Sequence, residues 1–208
     1  KMPNRLDAEE KSIMEGGTHW IDRFGEEGYG GGVVTGLYKK ELLLKSGVKF
    51  PEKILYEDNY WVAILMLYVK RYFHLAEDLY HYRQREDSTV HKKNAMHHVD
   101  RLAIEEMKLK TYHDLHIYER YREIIEQDFL REYYCRTLLT MLVKYDNSPY
   151  DVFCHMNRRV MELYPDYKKT ELAQNEGIGK ILLGLIDRDL DEVQFMEIKK
   201  IILSYYGR

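Results

Sequence analysis

Between Asn59 and Lys70 the sequence is apolar on nearly every side of a helical wheel. Trp61, Leu65 and Tyr68 fall on one side and Val62, Met66 and Val69 on another, the distribution of a buried helix rather than a surface one. Such a helix needs neighbours on several faces, so the chain must fold around it. The run from Trp61 to Val69 has about half the length that a bilayer demands, which argues against a membrane span. The first residues carry no charged-then-apolar leader pattern.

The flanks indicate how that cover is built. Residues 1–27 are polar and punctuated by Gly16, Gly17 and Gly25, with Trp20 and Phe24 as large anchors; a helix is expected at about Asp7–Glu15. Gly30, Gly31 and Gly32 break the chain before Val33-Val34-Thr35, a β-branched run that reads as a strand. Tyr38–Ser46 reads as a short helix closed by Gly47 just past its last turn. Phe50 is expected to be extended because Pro51 follows it. From Arg71 the period changes to two, and Tyr72–Leu75 and Leu79–Arg85 read as strands joined across Ala76-Glu77-Asp78.

Beyond about Val90 the pattern turns helical. One helix is expected at Asn94–Thr111, with Met96, Val99, Ala103 and Met107 on one face, and a second at Tyr118–Tyr145, with Ile125, Phe129, Leu138 and Leu142 as its stripe. Ser148-Pro149 reads as the opening of a third that ends near Tyr164, before Pro165. Gly177–Ile186 is short and apolar, and Asp189–Glu192 has the spacing of a capping box ahead of Phe195, Ile198, Ile202 and Tyr205. The expected fold is α+β and predominantly helical: a small mixed part over 1–92, then a helical bundle over 93–208.

A formal net charge of −3 gives no electrostatic reason to expect a nucleic-acid partner. The 19 tyrosines are read mainly as core residues with polar tips. Cys135 and Cys154 sit inside helical patterns and form neither a disulfide framework nor a zinc knuckle, so a reducing compartment is expected. His97 and His98 should point to different sides of a helix, and His113 and His116 lack a third ligand, so both pairs read as surface or helix-end residues.

The chemistry-bearing residues lie between Gly36 and Ser88. Glu57-Asp58 opens the buried helix, where a carboxylate satisfies orphan amides and is held rigid and ionised. One such fixed carboxylate suffices to take a proton from an attacking hydroxyl. About 25 residues on, Tyr82-Arg83-Gln84-Arg85 alternates, so Arg83 and Arg85 share a strand face roughly 7 Å apart, a spacing suited to gripping a diphosphate.

Gly36-Leu37-Tyr38-Lys39, Phe50-Pro51, Tyr56-Glu57-Asp58-Asn59-Tyr60-Trp61 and Tyr80-His81-Tyr82-Arg83-Gln84-Arg85 together resemble the acceptor-side half of a family 2 glycosyltransferase, a GT-A enzyme of bacterial surface polysaccharide biosynthesis. The resemblance covers roughly residues 28–92. It implies Asp58 as catalytic base with inversion at the anomeric carbon, Glu57 orienting the site or contacting the acceptor, and Arg83, Arg85, Tyr82 and Trp61 contacting donor or acceptor. It further implies a nucleotide sugar, with UDP as the expected carrier, and a glycan or lipid-linked acceptor. A cytoplasmic enzyme working at the inner face of the membrane follows from the same resemblance.

Such enzymes open with a βαβ unit ending in an Asp-x-Asp motif that holds Mg²⁺ or Mn²⁺. No such unit is read ahead of residue 30, and Asp187-Arg-Asp189 and Asp189-Leu-Asp191 are read as helix caps. The sequence opens at Lys1 without an initiating methionine. The expectation is therefore a C-terminal portion that holds no metal, is inactive alone and self-associates to cover exposed surface. The competing expectation is a non-catalytic helical module that binds a partner protein through tyrosines.

Overall fold

The computed structural model of the chain describes residues 14–15, 33–72, 77, 79–81, 83, 88–89 and 92–205. These residues are predominantly helical. In chain order the elements are β1 (Met14–Glu15), α1 (Lys40–Ser46), α2 (Glu57–Met66), β2 (Arg71–Tyr72), α3 (Asp100–Asp114), α4 (Arg122–Phe129), α5 (Thr137–Lys144), α6 (Tyr150–Leu163), α7 (Glu171–Gln174), α8 (Ile178–Leu183) and α9 (Glu192–Tyr205). A π-helical stretch, Leu130–Arg136, joins α4 to α5. Two compact units result: Lys1–Gln84 with Met107–Ile124, and Arg85–Glu106 with Ile125–Arg208. Residues 107–124 thus group with the N-terminal part, which the boundary expected at 92 did not anticipate.

In the first unit α1 ends as its sequence requires. Gly47 adopts φ 66° at the C-cap, and a Cβ there would meet nothing within 4 Å, so the glycine is needed for backbone freedom alone. Buried Trp61, Ala63, Ile64, Leu65 and Met66 make α2 the apolar helix the sequence implied. It begins at Glu57, two residues earlier than expected, and tightens after Met66 into i→i+3 bonds that carry the chain to Val69. Met66 and Val69 pack with Leu42 and Val62.

Several strand expectations change. Val33–Thr35 is a 3₁₀ turn closed by the Gly36 amide on the Val33 carbonyl, because a β-branched run without a pairing neighbour gains no ladder. Met14–Glu15, expected at the end of a helix, pairs antiparallel with Arg71–Tyr72, Met14 opposite Tyr72. Leu79, Tyr80, His81 and Arg83 are irregular rather than extended in a ladder. The rest of the expected helix at 7–15 and of the strands at 72–75 and 79–85 lies outside the described residues.

In the second unit the helix expected from Asn94 starts at Asp100, after a 3₁₀ turn over Met96–Val99. Asn94 stands at φ 56° and exchanges side-chain hydrogen bonds with Asp146, donating from Nδ2 to Oδ2 and accepting the Asp146 amide on Oδ1, each at 2.8 Å. That capture takes it out of the helix.

The face assigned to α3 is also corrected. Met96 and Met107 are exposed, whereas Arg101, Ile104, Glu105, Lys108 and Tyr112 are buried, and the three charged groups are all engaged. Charged residues buried whole share the packed face with Ile104, Leu109 and Tyr112, and a hydrophobic count missed them. The expected stripe Ile125, Phe129, Leu138 and Leu142 is buried throughout. The π-helical stretch adds Tyr133, Tyr134 and Cys135 to it, marked by the Thr137 hydroxyl on the Glu132 carbonyl five residues back.

Ser148 does not cap α6. Its hydroxyl donates to the Met141 carbonyl at 2.9 Å, and Pro149 takes the cap position. The capping box of α9 lies two residues beyond the one read from sequence: the Gln194 amide donates to Asp191 Oδ1 at 2.8 Å, and Gln194 Oε1 accepts the Asp191 amide at 3.0 Å.

Lys199 on α9 is buried and donates to the carbonyls of Tyr145 and Asp146, just past the end of α5. Lys199→Met keeps the stem and strands two carbonyls, so it is expected to lower stability by about 1–3 kcal/mol in urea unfolding.

His98 is fully buried, with Nε2 donating to the Lys92 carbonyl at 2.5 Å. Burial lowers its pKa, opposed by that hydrogen bond and assisted by His97, Lys144 and Arg101. The unfolded chain therefore binds the proton more readily. Stability is full above pH of about 6.5 and falls as pH drops from there toward the native value, by at most ~1.4 kcal/mol per unit. Urea midpoints at pH 7.5 and 5.0 should differ less in His98→Gln than in the parent chain.

Candidate functional site

The site forms around the first turn of α2. The Trp61 indole, three residues past Asp58, is 5% exposed. Phe50 stacks on it at 4.7 Å between centroids, nearly parallel at 5°, and Tyr38 meets it edge-on at 5.1 Å and 82°. The three rings come from three separate sequence segments, so the Leu-Tyr-Lys turn and the Phe-Pro turn are both pinned to the helix that opens with Glu57-Asp58. Burial raises the Tyr38 phenol above its ordinary pKa, which leaves it a neutral hydroxyl.

Tyr56, the residue before Glu57, occupies the left-handed region at φ 63°, and Lys53 does so at φ 59°. Neither is a glycine or an asparagine, so each costs roughly 1–2 kcal/mol. Sites held this way are over-determined by their surroundings. Asp58 is half-buried, and its Oδ1 accepts the Asn59 amide at 2.9 Å, which fixes the carboxylate and leaves Oδ2 for another partner. Glu57 is half-buried in the same turn.

The other site expectations are distributed differently. Trp61 shares α2 with Glu57 and Asp58, but its stacking face is occupied by Phe50. Arg83 is exposed on irregular backbone. Tyr82 and Arg85 lie outside the described residues. Tyr38, Phe50 and Tyr56 were not singled out as site residues, although Leu-Tyr-Lys, Phe-Pro and Tyr-Glu-Asp are the segments that contain them. Only their convergence in space gives them a role.

The remaining candidates are structural. His97 and His98 lean together, with ring centroids 4.5 Å apart, because both Nε2 atoms reach for one backbone stretch, the Thr89 and Lys92 carbonyls. His113 stacks on Tyr118, and His116 turns the chain at φ 56°. Asp187 is not a cap: it accepts from the Tyr167 hydroxyl at 3.1 Å and from Lys168, which holds its carboxyl below the usual range. Burial pushes the Cys135 thiol up to about 12, so it is no nucleophile at neutral pH.

Tyr112, Tyr121, Tyr133, Tyr134, Tyr145, Tyr164 and Tyr167 are buried, whereas Tyr38, Tyr56, Tyr60, Tyr118 and Tyr150 are half-buried and Tyr68 and Tyr80 exposed, so the core reading holds for part of them. Among the described residues no helix is long and apolar enough to cross a membrane. No three His, Cys, Asp or Glu side chains among them converge on a metal position. The chain matches no protein-family model, no curated protein and no solved structure.

Trp61→Ala should cost about 3–5 kcal/mol, because it removes the ring on which Tyr38 and Phe50 both rest. Denaturant unfolding of this variant, beside Trp61→Phe with a smaller loss, checks it.

Proposed function

We propose that this chain is the acceptor-side, C-terminal part of a family 2 glycosyltransferase, its first unit belonging to a GT-A-like domain. The enzyme moves a sugar from a nucleotide donor, UDP-linked, to a glycan or lipid-linked hydroxyl. The observation that supports this best is the convergence of Tyr38 and Phe50 on Trp61 at the base of the Glu57-Asp58 turn. Three motif segments with no local reason to meet hold one carboxylate at a strained helix entry.

In this reading Asp58 is the base. Its carboxylate takes the proton of the acceptor hydroxyl as that oxygen forms a bond to the anomeric carbon. The carbon–oxygen bond to the nucleoside diphosphate breaks on the opposite side, with its electron pair leaving on the phosphate, and the configuration inverts. The Asn59 amide orients Asp58. Glu57 orients the acceptor, and Arg83 and Arg85 meet the departing diphosphate. The described residues offer no donor set for Mg²⁺ or Mn²⁺, and no step here is routed through a metal.

UDP release by the complete gene product, followed across a panel of UDP-sugars with Mn²⁺, tests the reading. Asp58→Asn should slow transfer about a hundred- to ten-thousandfold and leave donor binding nearly unchanged. Undiminished transfer would remove Asp58 as base. Absence of both UDP release and UDP binding would favour the non-catalytic interaction module instead.

A further inference from the structure

A groove of about 380 Å³ lies within the first unit, between the turn after α1, the Tyr60-Ile64-Tyr68 ridge of α2 and the turn that follows it, and the C-terminal half of α3. That volume lies within the range of small-ligand sites. Phe50 is shared between two environments: its ring stacks on Trp61, yet 42% of the residue stays exposed and lines the groove. Tyr68 lines it too and is 41% exposed. Two aromatic rings therefore stand open in a concavity, and Phe50 is held there by the Trp61 sandwich.

The polar lining is equally specific. The Thr111 hydroxyl donates to the Met107 carbonyl at 2.9 Å, which commits its only proton. In the 3.0 Å contact between Tyr60 and Thr111 the phenol must therefore be the donor, leaving the lone pairs of the Tyr60 oxygen free to accept. Among the described residues that line the groove, Lys49 is the charged one, and no carboxylate among them joins it.

An aromatic face attracts the C–H face of a pyranose ring, a phenol oxygen accepts from a sugar hydroxyl, and an ammonium unopposed by carboxylates selects an anionic substituent. We infer that this groove binds a ring of an acidic glycan, a sugar of the acceptor chain. The inference rests on the transferase reading for its role, but the binding itself does not depend on it. A lipid tail would leave the Tyr60 oxygen and Lys49 without partners. A cationic sugar would meet Lys49 unfavourably.

The test is titration of the whole chain, by ligand-observed NMR and calorimetry, with a hexasaccharide alternating glucuronate and N-acetylglucosamine, beside neutral maltohexaose. The acidic sugar should bind more tightly. Met107→Trp, which fills the groove from an exposed position, and Tyr68→Ser, which removes an aromatic face, should each weaken it about tenfold or more. Lys49→Gln should weaken it about threefold and abolish the preference over maltohexaose. Equal binding of the two sugars, or affinity indifferent to both groove variants with their circular dichroism unchanged, would overturn the inference. Groove-dependent binding without any Asp58-dependent transfer in the complete protein sinks the transferase reading and leaves the groove. Transfer that depends on Asp58 but ignores Met107→Trp and Tyr68→Ser does the reverse.

Discussion

The second unit depends on what happens just past the end of α5. Three carbonyls there, of Lys144, Tyr145 and Asp146, have no continuing helix to bond them, and each is claimed from far along the chain. The Asn94 amide takes Lys144, and Lys199 takes Tyr145 and Asp146. The Asn94 side chain closes a reciprocal pair with Asp146, and the Tyr145 hydroxyl returns to Ala95 at 2.7 Å. Segments about fifty residues apart on either side are thereby tied to one helix end. Each bond contributes only about 1 kcal/mol net, but leaving the buried bond from Lys199 to the Tyr145 carbonyl unmade costs more than it contributed. The same clasp places the His98 ring edge-on to Tyr145 at 5.9 Å.

The first unit uses aromatic packing where the second uses a polar clasp. Trp61 lies on the largely apolar helix α2, and it takes Phe50 on its face and Tyr38 at its edge. Ring pairs of this kind add about 0.5–1.5 kcal/mol each beyond the area they bury. That is a directional term, and it decides which way the two turns fold against α2 rather than merely whether they collapse onto it.

What could be read from the sequence follows from how local each signal was. The α2 helix, the Gly47 stop on α1, the stripe Ile125-Phe129-Leu138-Leu142 and the breaks at Pro149 and Pro165 are fixed by residues within a turn or two, and they appear where pattern reading put them. The α9 capping box was missed locally, by two residues, and the larger failures are non-local. Asn94 left its helix for a partner fifty residues away. Val33–Thr35 had strand-forming residues and, among the described residues, pairs with no strand. The buried side of α3 is carried by Arg101, Glu105 and Lys108, which any hydrophobic count places outside. At the candidate site, Glu57-Asp58 was legible as a pair at a helix start. The aromatic support beneath it was not, because the stacking of Phe50 on Trp61 is a contact and not a spacing.

That support bears on whether the Glu57-Asp58 turn is built for chemistry or is an ordinary helix start. An ordinary start needs neither Tyr56 nor Lys53 in the left-handed region, which together cost roughly 2–4 kcal/mol. Burying an indole of this size is worth about 3–5 kcal/mol against alanine, enough to outweigh that strain. The balance lets the chain approach α2 at an angle that local preferences oppose, and it sets Asp58 on the first turn with one oxygen fixed by the Asn59 amide. A carboxylate serving only as a cap would gain nothing from such an approach, since any relaxed Asp or Ser start satisfies the same amides. A proton-accepting carboxylate gains a great deal, because misplacing it by 1 Å costs about a hundredfold in rate. The strain at Tyr56 and the sandwich at Trp61 are thus opposing terms at the entry to α2.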